Sequence, residues 1–355
     1  MDGPRQLHEL GQSVWLDNIT RDLLTTGTLE RYIAELSVTG LTSNPTIFDQ
    51  AITRTTAYAD EIRRLAAGGL SGEALFFELA IQDLSEAADL FAPVHRRTAG
   101  VDGWVSLEVS PASAHDTGRT VAEATSLHQK AGRPNLFIKI PGTVEGVPAI
   151  EEAIFAGIPV NVTLLFSREQ YVSAAEAYMR GIERRVAAGL DPDVRSVASL
   201  FVSRWDKATM ERVPADLRGK LGTAIAGRSY AFYRDLLETD RWQRLENEGA
   251  RPQRLLFAST GTKDPTASDV LYIEALAAPN TINTMPEETL LAFSDHGRVE
   301  QILPRDGGSA EEVLAEFARA GIDVDQLAAD LQEQGAEAFV ASWRHLCDSV
   351  AGSAG

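Results

Sequence analysis

Lysine occurs at only five positions in this chain, Lys130, Lys139, Lys207, Lys220 and Lys263, and just one of them sits inside an apolar run: Lys139, in Leu136-Phe-Ile-Lys-Ile-Pro141. An ammonium taken out of water loses hydration, which disfavours its charged form unless a carboxylate lies close by. A neutral amine is a nucleophile towards a carbonyl carbon, chemistry closed to the permanently charged arginine. Two carboxylates end other apolar runs, Asp17 in Trp-Leu-Asp-Asn and Glu108 in Ser-Leu-Glu-Val-Ser-Pro. Either can move the protons that carbonyl condensation, dehydration, carbon–carbon cleavage and hydrolysis require. A structural ion pair between Lys139 and one of these acids is the plainer reading. The two carboxylates alone would also serve a glycosidase, a scheme in which the lysine has no part.

Residues so far apart in sequence need a scaffold that gathers them. Short β-branched runs alternate along the chain with longer helical patterns, as in βα units that close over a parallel sheet. Eight such runs are expected as strands: Val14 to Ile19, Gly40 to Asn44, Trp104 to Ser110, Leu136 to Pro141, Pro159 to Phe166, Val197 to Val202, Leu255 to Thr260 and Thr281 to Met285. Between them, Phe77, Ile81, Leu84, Ala88 and Phe91 recur at helical spacing and mark one apolar face. Eight strands with intervening helices predict an α/β fold, a single (β/α)8 TIM barrel. Within the strands, Leu16, Leu107, Ile138, Ile140, Val162, Leu164, Leu200 and Val202 form an aliphatic face, and Asp17, Glu108, Lys139, Asn161, Thr163 and Ser199 fall opposite. Barrel strands turn one face to the helices and the other to the interior, so the polar set should converge near the C-terminal strand ends, where barrel active sites lie.

Two further helical patterns follow the last strand, one around Val313 to Ala320 and one that puts Phe339, Trp343, Leu346 and Val350 on one face; both are expected to wrap the barrel. No Gly-, Ser- or Pro-rich linker divides the chain, so residues 1–355 are read as one domain, with strands and core over about 12–292 and C-terminal helices over about 310–350. The balance of 44% hydrophobic and 24% charged residues in 355 is that of a folded globular protein. No apolar stretch reaches the roughly 18 residues that would span a bilayer, and no signal pattern opens the chain, which predicts a cytoplasmic protein without a membrane partner. A net charge of −18 argues against nucleic acid, yet leaves room for a small anionic substrate if a few cations line one pocket. The lone Cys347 and six dispersed histidines match no metal-ligand spacing, so no metal is expected.

Two longer motifs, Leu41-Thr-Ser-Asn-Pro-Thr-Ile-Phe48 and Asn135-Leu-Phe-Ile-Lys-Ile-Pro-Gly-Thr143, resemble the two signatures of transaldolases. The resemblance extends to Trp15-Leu-Asp17, Ser106-Leu-Glu-Val-Ser-Pro111, Asn161-Val-Thr-Leu-Leu-Phe-Ser167 and Thr284-Met-Pro286, in family order, over about residues 12 to 292. It implies a class I aldolase-type barrel of the pentose phosphate pathway that moves a dihydroxyacetone unit between sugar phosphates without a cofactor, as a monomer or homodimer. On this resemblance Lys139 is the Schiff-base lysine and Asp17 the base at the C4 hydroxyl. Glu108 and Thr163 hold the water of carbinolamine dehydration, and Asn44 and Asn161, with Thr42 and Ser199, hold the dihydroxyacetone hydroxyls. Arg204 and Ser259 match the phosphate arginine and serine. The family's second phosphate arginine falls here on Gly261, for which Lys263 is the expected substitute. The nearest rival, fructose-6-phosphate aldolase, releases free dihydroxyacetone and tends to carry glutamine and tyrosine where this chain has Glu108 and Phe201. A barrel that binds sugar phosphates without turning them over is the alternative of another class.

Overall fold

A computed structural model describes residues 2–353; Met1, Ala354 and Gly355, at the ends of the expected domain, lie outside the described residues. All eight expected strands form: β1 Ser13–Asp17, β2 Val38–Thr42, β3 Trp104–Glu108, β4 Leu136–Pro141, β5 Val160–Leu165, β6 Ser196–Phe201, β7 Gln253–Ala258 and β8 Ile282–Met285. They pair in parallel in sequence order, and β8 returns to β1 to close the barrel. The strand ends depart from expectation where a residue leaves the sheet for other work. Asn44, expected in β2, instead caps the helix Pro45–Arg54 by accepting the Ile47 N–H at 3.0 Å, with Pro45 in the first turn, where its missing N–H costs nothing. Thr260, expected in β7, follows Ser259, whose φ of +54° turns the chain out of the strand.

Inside the barrel the side chains stack in layers. Below the charged level, Phe137 stacks on Trp104 at 4.1 Å between ring centroids and lies 6.3 Å from Trp15. Gly40 of β2 leaves the space that the Trp15 indole fills, since a Cβ there would stand 2.5 Å from Trp15 Cε2. One level up, at the C-terminal strand ends, come Asp17, Thr42, Glu108 and Lys139, adjacent through the register Asp17↔Thr42 and Glu108↔Lys139. An aromatic floor beneath charged groups keeps water from reaching them from below.

The aliphatic alternation holds along the strands except at Leu164. Its φ of +59° belongs to a bulge in β5, where the pairing jumps from Val162↔Ala198 to Leu165↔Leu200. The bulge turns the Leu164 side chain and carbonyl towards the C-terminal helix Val324–Ser353, where Gln332 Nε2 donates to Leu164 O at 2.8 Å and to Gly142 O at 3.0 Å. That helix does more than wrap the outside. It packs on the helices Pro45–Arg54 and Gly72–Arg97 and reaches the end of β5, so it crosses one side of the barrel mouth. The helix Ala310–Arg319 packs on the outer helix Leu221–Leu236, as expected for a wrapping element.

Candidate active site

Lys139 is buried, its chain neighbours Ile138 and Ile140 facing the other way along β4. Its Nζ donates to Ser43 O at 3.0 Å, and Glu108 Oε2 stands 3.6 Å away, a contact of charges longer than a hydrogen bond. The Ser43 carbonyl is itself steadied, because the Ser43 hydroxyl donates to Ser106 O across to β3. The plainer reading of Lys139, an ion pair with a carboxylate, is therefore part of the geometry. It does not exhaust it, since Lys139 also opens on a cavity of about 190 Å³.

Eight of the twelve residues singled out from the sequence line that cavity: Asp17, Thr42, Asn44, Lys139, Ser199, Phe201, Arg204 and Ser259. Of the larger cavities elsewhere, the two of about 570 Å³ contain none of the twelve. Asp17 accepts from the Thr42 hydroxyl at 2.7 Å, and because that hydroxyl spends its single proton on the carboxylate, the Thr284 hydroxyl 2.6 Å away must donate to Thr42. Burial raises the Asp17 carboxyl above its ordinary range against the pull of the Lys139 charge and the Thr42 hydrogen bond. The Asn44 cap uses the side-chain oxygen, which leaves the amide NH2 for the cavity.

Three of the remaining four sit behind the lining. Burial pushes the Glu108 carboxyl up to about 7, opposed by the Lys139 charge and reinforced by Asp17. Glu108 Oε2 and Thr163 Oγ1 are both buried without a hydrogen-bond partner among the described residues, on the two strands that flank β4. Asn161 is fully buried; it donates to Ser106 Oγ at 3.0 Å and accepts from Ser199 Oγ at 2.7 Å, so it orients the serine that does face the cavity. The fourth, Lys263, does not line this cavity. It borders a neighbouring one, although its charge is still felt at Asp17.

Arg204 opens the helix Ser203–Thr209 and has no ion pair among the described residues. Its guanidinium lies 5.1 Å from the Phe201 ring and 6.0 Å from that of Phe339, and burial lowers its pKa. An unpaired, partly desolvated arginine opposite the Ser259 hydroxyl suits an anion with several oxygens. At Gly261 a Cβ would come 3.1 Å from Pro286 Cγ, a tight contact that the ring would have to ease by a few tenths of an ångström.

Thr46, Ile47, Ala258, Thr284 and Phe339, none of them among the twelve, complete the lining. Thr284 stood in a recognised motif, and its hydrogen bond to Thr42 is a consequence of barrel closure. Phe339 was legible only as one member of an apolar stripe. Among the described residues no group of three or more His, Cys, Asp or Glu side chains is placed to hold a metal ion, and no helix is long and apolar enough to cross a membrane.

The family model of transaldolase/fructose-6-phosphate aldolase matches residues 14–350, past residue 292 where the motif resemblance ends and through most of the C-terminal helix. A transaldolase of Saccharopolyspora erythraea is 44% identical over 352 residues, which cover 97% of this chain and 95% of that protein. A transaldolase of Thermobifida fusca is 45% identical over 356 residues, 98% of this chain and 97% of that protein. A transaldolase of Thiobacillus denitrificans is 44% identical over 358 residues, with 99% and 100% covered. A closed eight-stranded barrel, a buried lysine beside two carboxylates at its C-terminal mouth, and this similarity along nearly the whole length lead to one conclusion: the chain belongs to the transaldolase/fructose-6-phosphate aldolase family.

Proposed function

We propose that the protein is a transaldolase that carries a dihydroxyacetone unit on Lys139, from sedoheptulose 7-phosphate to glyceraldehyde 3-phosphate, giving erythrose 4-phosphate and fructose 6-phosphate, reversibly. The observation that carries this reading is the Lys139 amine, buried 3.6 Å from Glu108 and facing the same cavity as Asp17. The amine adds to the substrate C2 carbonyl to give a carbinolamine. Glu108, with a carboxyl near 7, supplies the proton with which the hydroxyl leaves as water. A water molecule held between Glu108 Oε2 and Thr163 Oγ1 would satisfy both unpartnered atoms and relay that proton. Asp17 then takes the C4 hydroxyl proton, the C3–C4 bond breaks, and the first aldehyde leaves an enamine on the lysine. Attack of the enamine on the second aldehyde, with the proton returned by Asp17, forms the new bond, and hydrolysis frees Lys139.

Thr42, Asn44 and Ser199 are suited to the dihydroxyacetone hydroxyls, with Asn161 positioning Ser199, and Arg204 and Ser259 to the phosphate. Lys263 supplies the second cation at the phosphate, as its influence on Asp17 favours; Lys263→Ala should then raise the KM for fructose 6-phosphate. Phe201 presents a phenyl ring to the cavity where a tyrosine could activate water, which favours transfer over release of dihydroxyacetone. We read the barrel and its C-terminal helices as one domain, since the Val324–Ser353 helix supplies Phe339 to the same cavity. A cytoplasmic location belongs to the same reading. The decisive experiment treats the protein with fructose 6-phosphate and borohydride and maps the reduced adduct by peptide mass. It is expected on Lys139, and its absence there overturns the proposal. Rapid steady release of dihydroxyacetone without an acceptor aldehyde would favour the aldolase reading instead.

A further inference from the structure

Beside the Lys139 cavity a second one, of about 260 Å³, opens between the Ser203–Thr209 helix, the start of the Leu221–Leu236 helix and the loop after β7. Lys207, Arg218, Lys220 and Lys263 stand around it, so that three of the five lysines of the chain gather at one place. The other two lysines are paired, Lys130 with Glu78 and Lys139 with Glu108. Among the described residues the four cations here make neither an ion pair nor a side-chain hydrogen bond, and all four are exposed.

Two carboxylates share the cavity, and both are already engaged. Asp206 is buried and accepts from the Leu221 and Gly222 N–H groups and from the Tyr272 hydroxyl. Asp264 accepts from the N–H and hydroxyl of Thr266, and the charge of Arg218 adds to its hold. Four cations thus face two carboxylates, one buried among donors and one bonded to Thr266, in a chain whose net charge of −18 repels any anion at a distance. Clustered like charges around a concave, low-dielectric surface focus the field and raise the local concentration of the opposite ion. Lys207 lies three residues beyond Arg204 on the same helix, about 4.5 Å along its axis, so the cluster borders the proposed phosphate position.

We propose that Lys207, Arg218 and Lys220 make this cavity a second anion subsite, adjoining the Arg204 and Ser259 position through Lys263, which takes the phosphate monoester of an incoming or departing sugar phosphate before or after that group sits on Arg204 and Ser259. The subsite rests on the reading of the substrates as sugar phosphates. It draws the dianion to the mouth and supplies a second position one helical turn from the first.

The test compares the full-length protein with a Lys207→Gln, Arg218→Gln, Lys220→Gln variant, which leaves Lys263 and every residue lining the Lys139 cavity intact. Titration with inorganic phosphate by calorimetry should show two sites in the parent and one in the variant. The KM for fructose 6-phosphate should rise about tenfold with kcat little changed, because loss of an attractive field weakens capture more than chemistry. Borohydride trapping of unphosphorylated dihydroxyacetone on Lys139 should be the same in both proteins, which verifies that the variant is folded. If it is not, the single exchange Lys207→Glu gives the same readouts with less disturbance. Unchanged phosphate stoichiometry together with an unchanged KM would overturn the subsite. A missing Lys139 adduct in the parent would instead overturn the parent reading, whatever the phosphate titration shows.

Discussion

Lys139, Asp17 and Glu108 share one small volume, yet their surroundings assign them different work. Glu108 has no hydrogen bond at Oε2, and burial brings its carboxyl to about 7, where a group can both give and take a proton near neutral pH. Its protonated form, the acid that expels water from the carbinolamine, is abundant below about pH 7 and is depleted above it. The rate of Schiff-base formation, followed by stopped flow or timed borohydride quench, should therefore fall as pH rises through about 7. Glu108→Gln should remove that inflection and slow the step about 10²–10⁴-fold, the range for loss of one positioned acid or base; an unaltered pH profile would contradict the assignment. Asp17 is held by Thr42 and acts later, so Asp17→Asn should leave the borohydride adduct with fructose 6-phosphate intact while abolishing release of glyceraldehyde 3-phosphate. Loss of the adduct in that variant would place Asp17 in the earlier step.

At the scale of elements, what was legible in the sequence is what is written as local periodicity. The strand residues Asp17, Glu108, Lys139, Asn161, Thr163 and Ser199 could be set on one inner face by the period of two, and the structure places them at one end of one barrel. The bulge at Leu164 was not legible, because a left-handed leucine has no composition signal and is selected by the helix that it meets. For the same reason Phe339 read only as part of an apolar stripe, although it stands in the cavity wall beside Arg204. The approach of that helix depends on Gly335, whose Cβ would come 2.9 Å from Leu164 Cδ2 and 3.1 Å from Arg204 Nη1. Phe339 and Phe201 thus hold a guanidinium that no carboxylate pairs among the described residues. Phe339→Ala should raise the KM for fructose 6-phosphate about 5–30-fold, in line with the 1–2 kcal/mol of a desolvated cation–aromatic contact, with a smaller change in kcat. Kinetics with free dihydroxyacetone, which has no phosphate, should be nearly unaffected, and an equal loss for both substrates would mean that the helix matters only for packing.

Across the whole molecule the two ends of the barrel divide stability from chemistry. The charged layer of Asp17, Glu108 and Lys139 rests on Trp15, Trp104 and Phe137, and the Trp15 indole N–H donates to Asp102 Oδ1 at 3.0 Å. Asp102 also accepts from Ser13 Oγ at 2.6 Å and faces Arg254 Nη1 at 3.3 Å, so one carboxylate ties β1, the turn before β3 and β7 together below the site. Barrel closure was readable from eight strand-like runs, but this tie was not, since it joins residues that meet only once the sheet has curled round. Gly40 is the position that exposes the division. A methyl group there would stand 2.5 Å from Cε2 and 2.6 Å from Nε1 of the Trp15 indole, which backs onto Phe137 and is held by Asp102. The ring can yield only by breaking that hydrogen bond or by shifting the strand, and overpacking of this kind costs about 1–3 kcal/mol. Gly40→Ala should therefore lower the midpoint of thermal and urea unfolding, while the fraction that remains folded keeps the KM for fructose 6-phosphate and the Lys139 adduct of the parent protein. A Gly40→Ala protein with parental stability but altered KM would mean that strain at the floor is passed up into the charged layer instead of being absorbed below it.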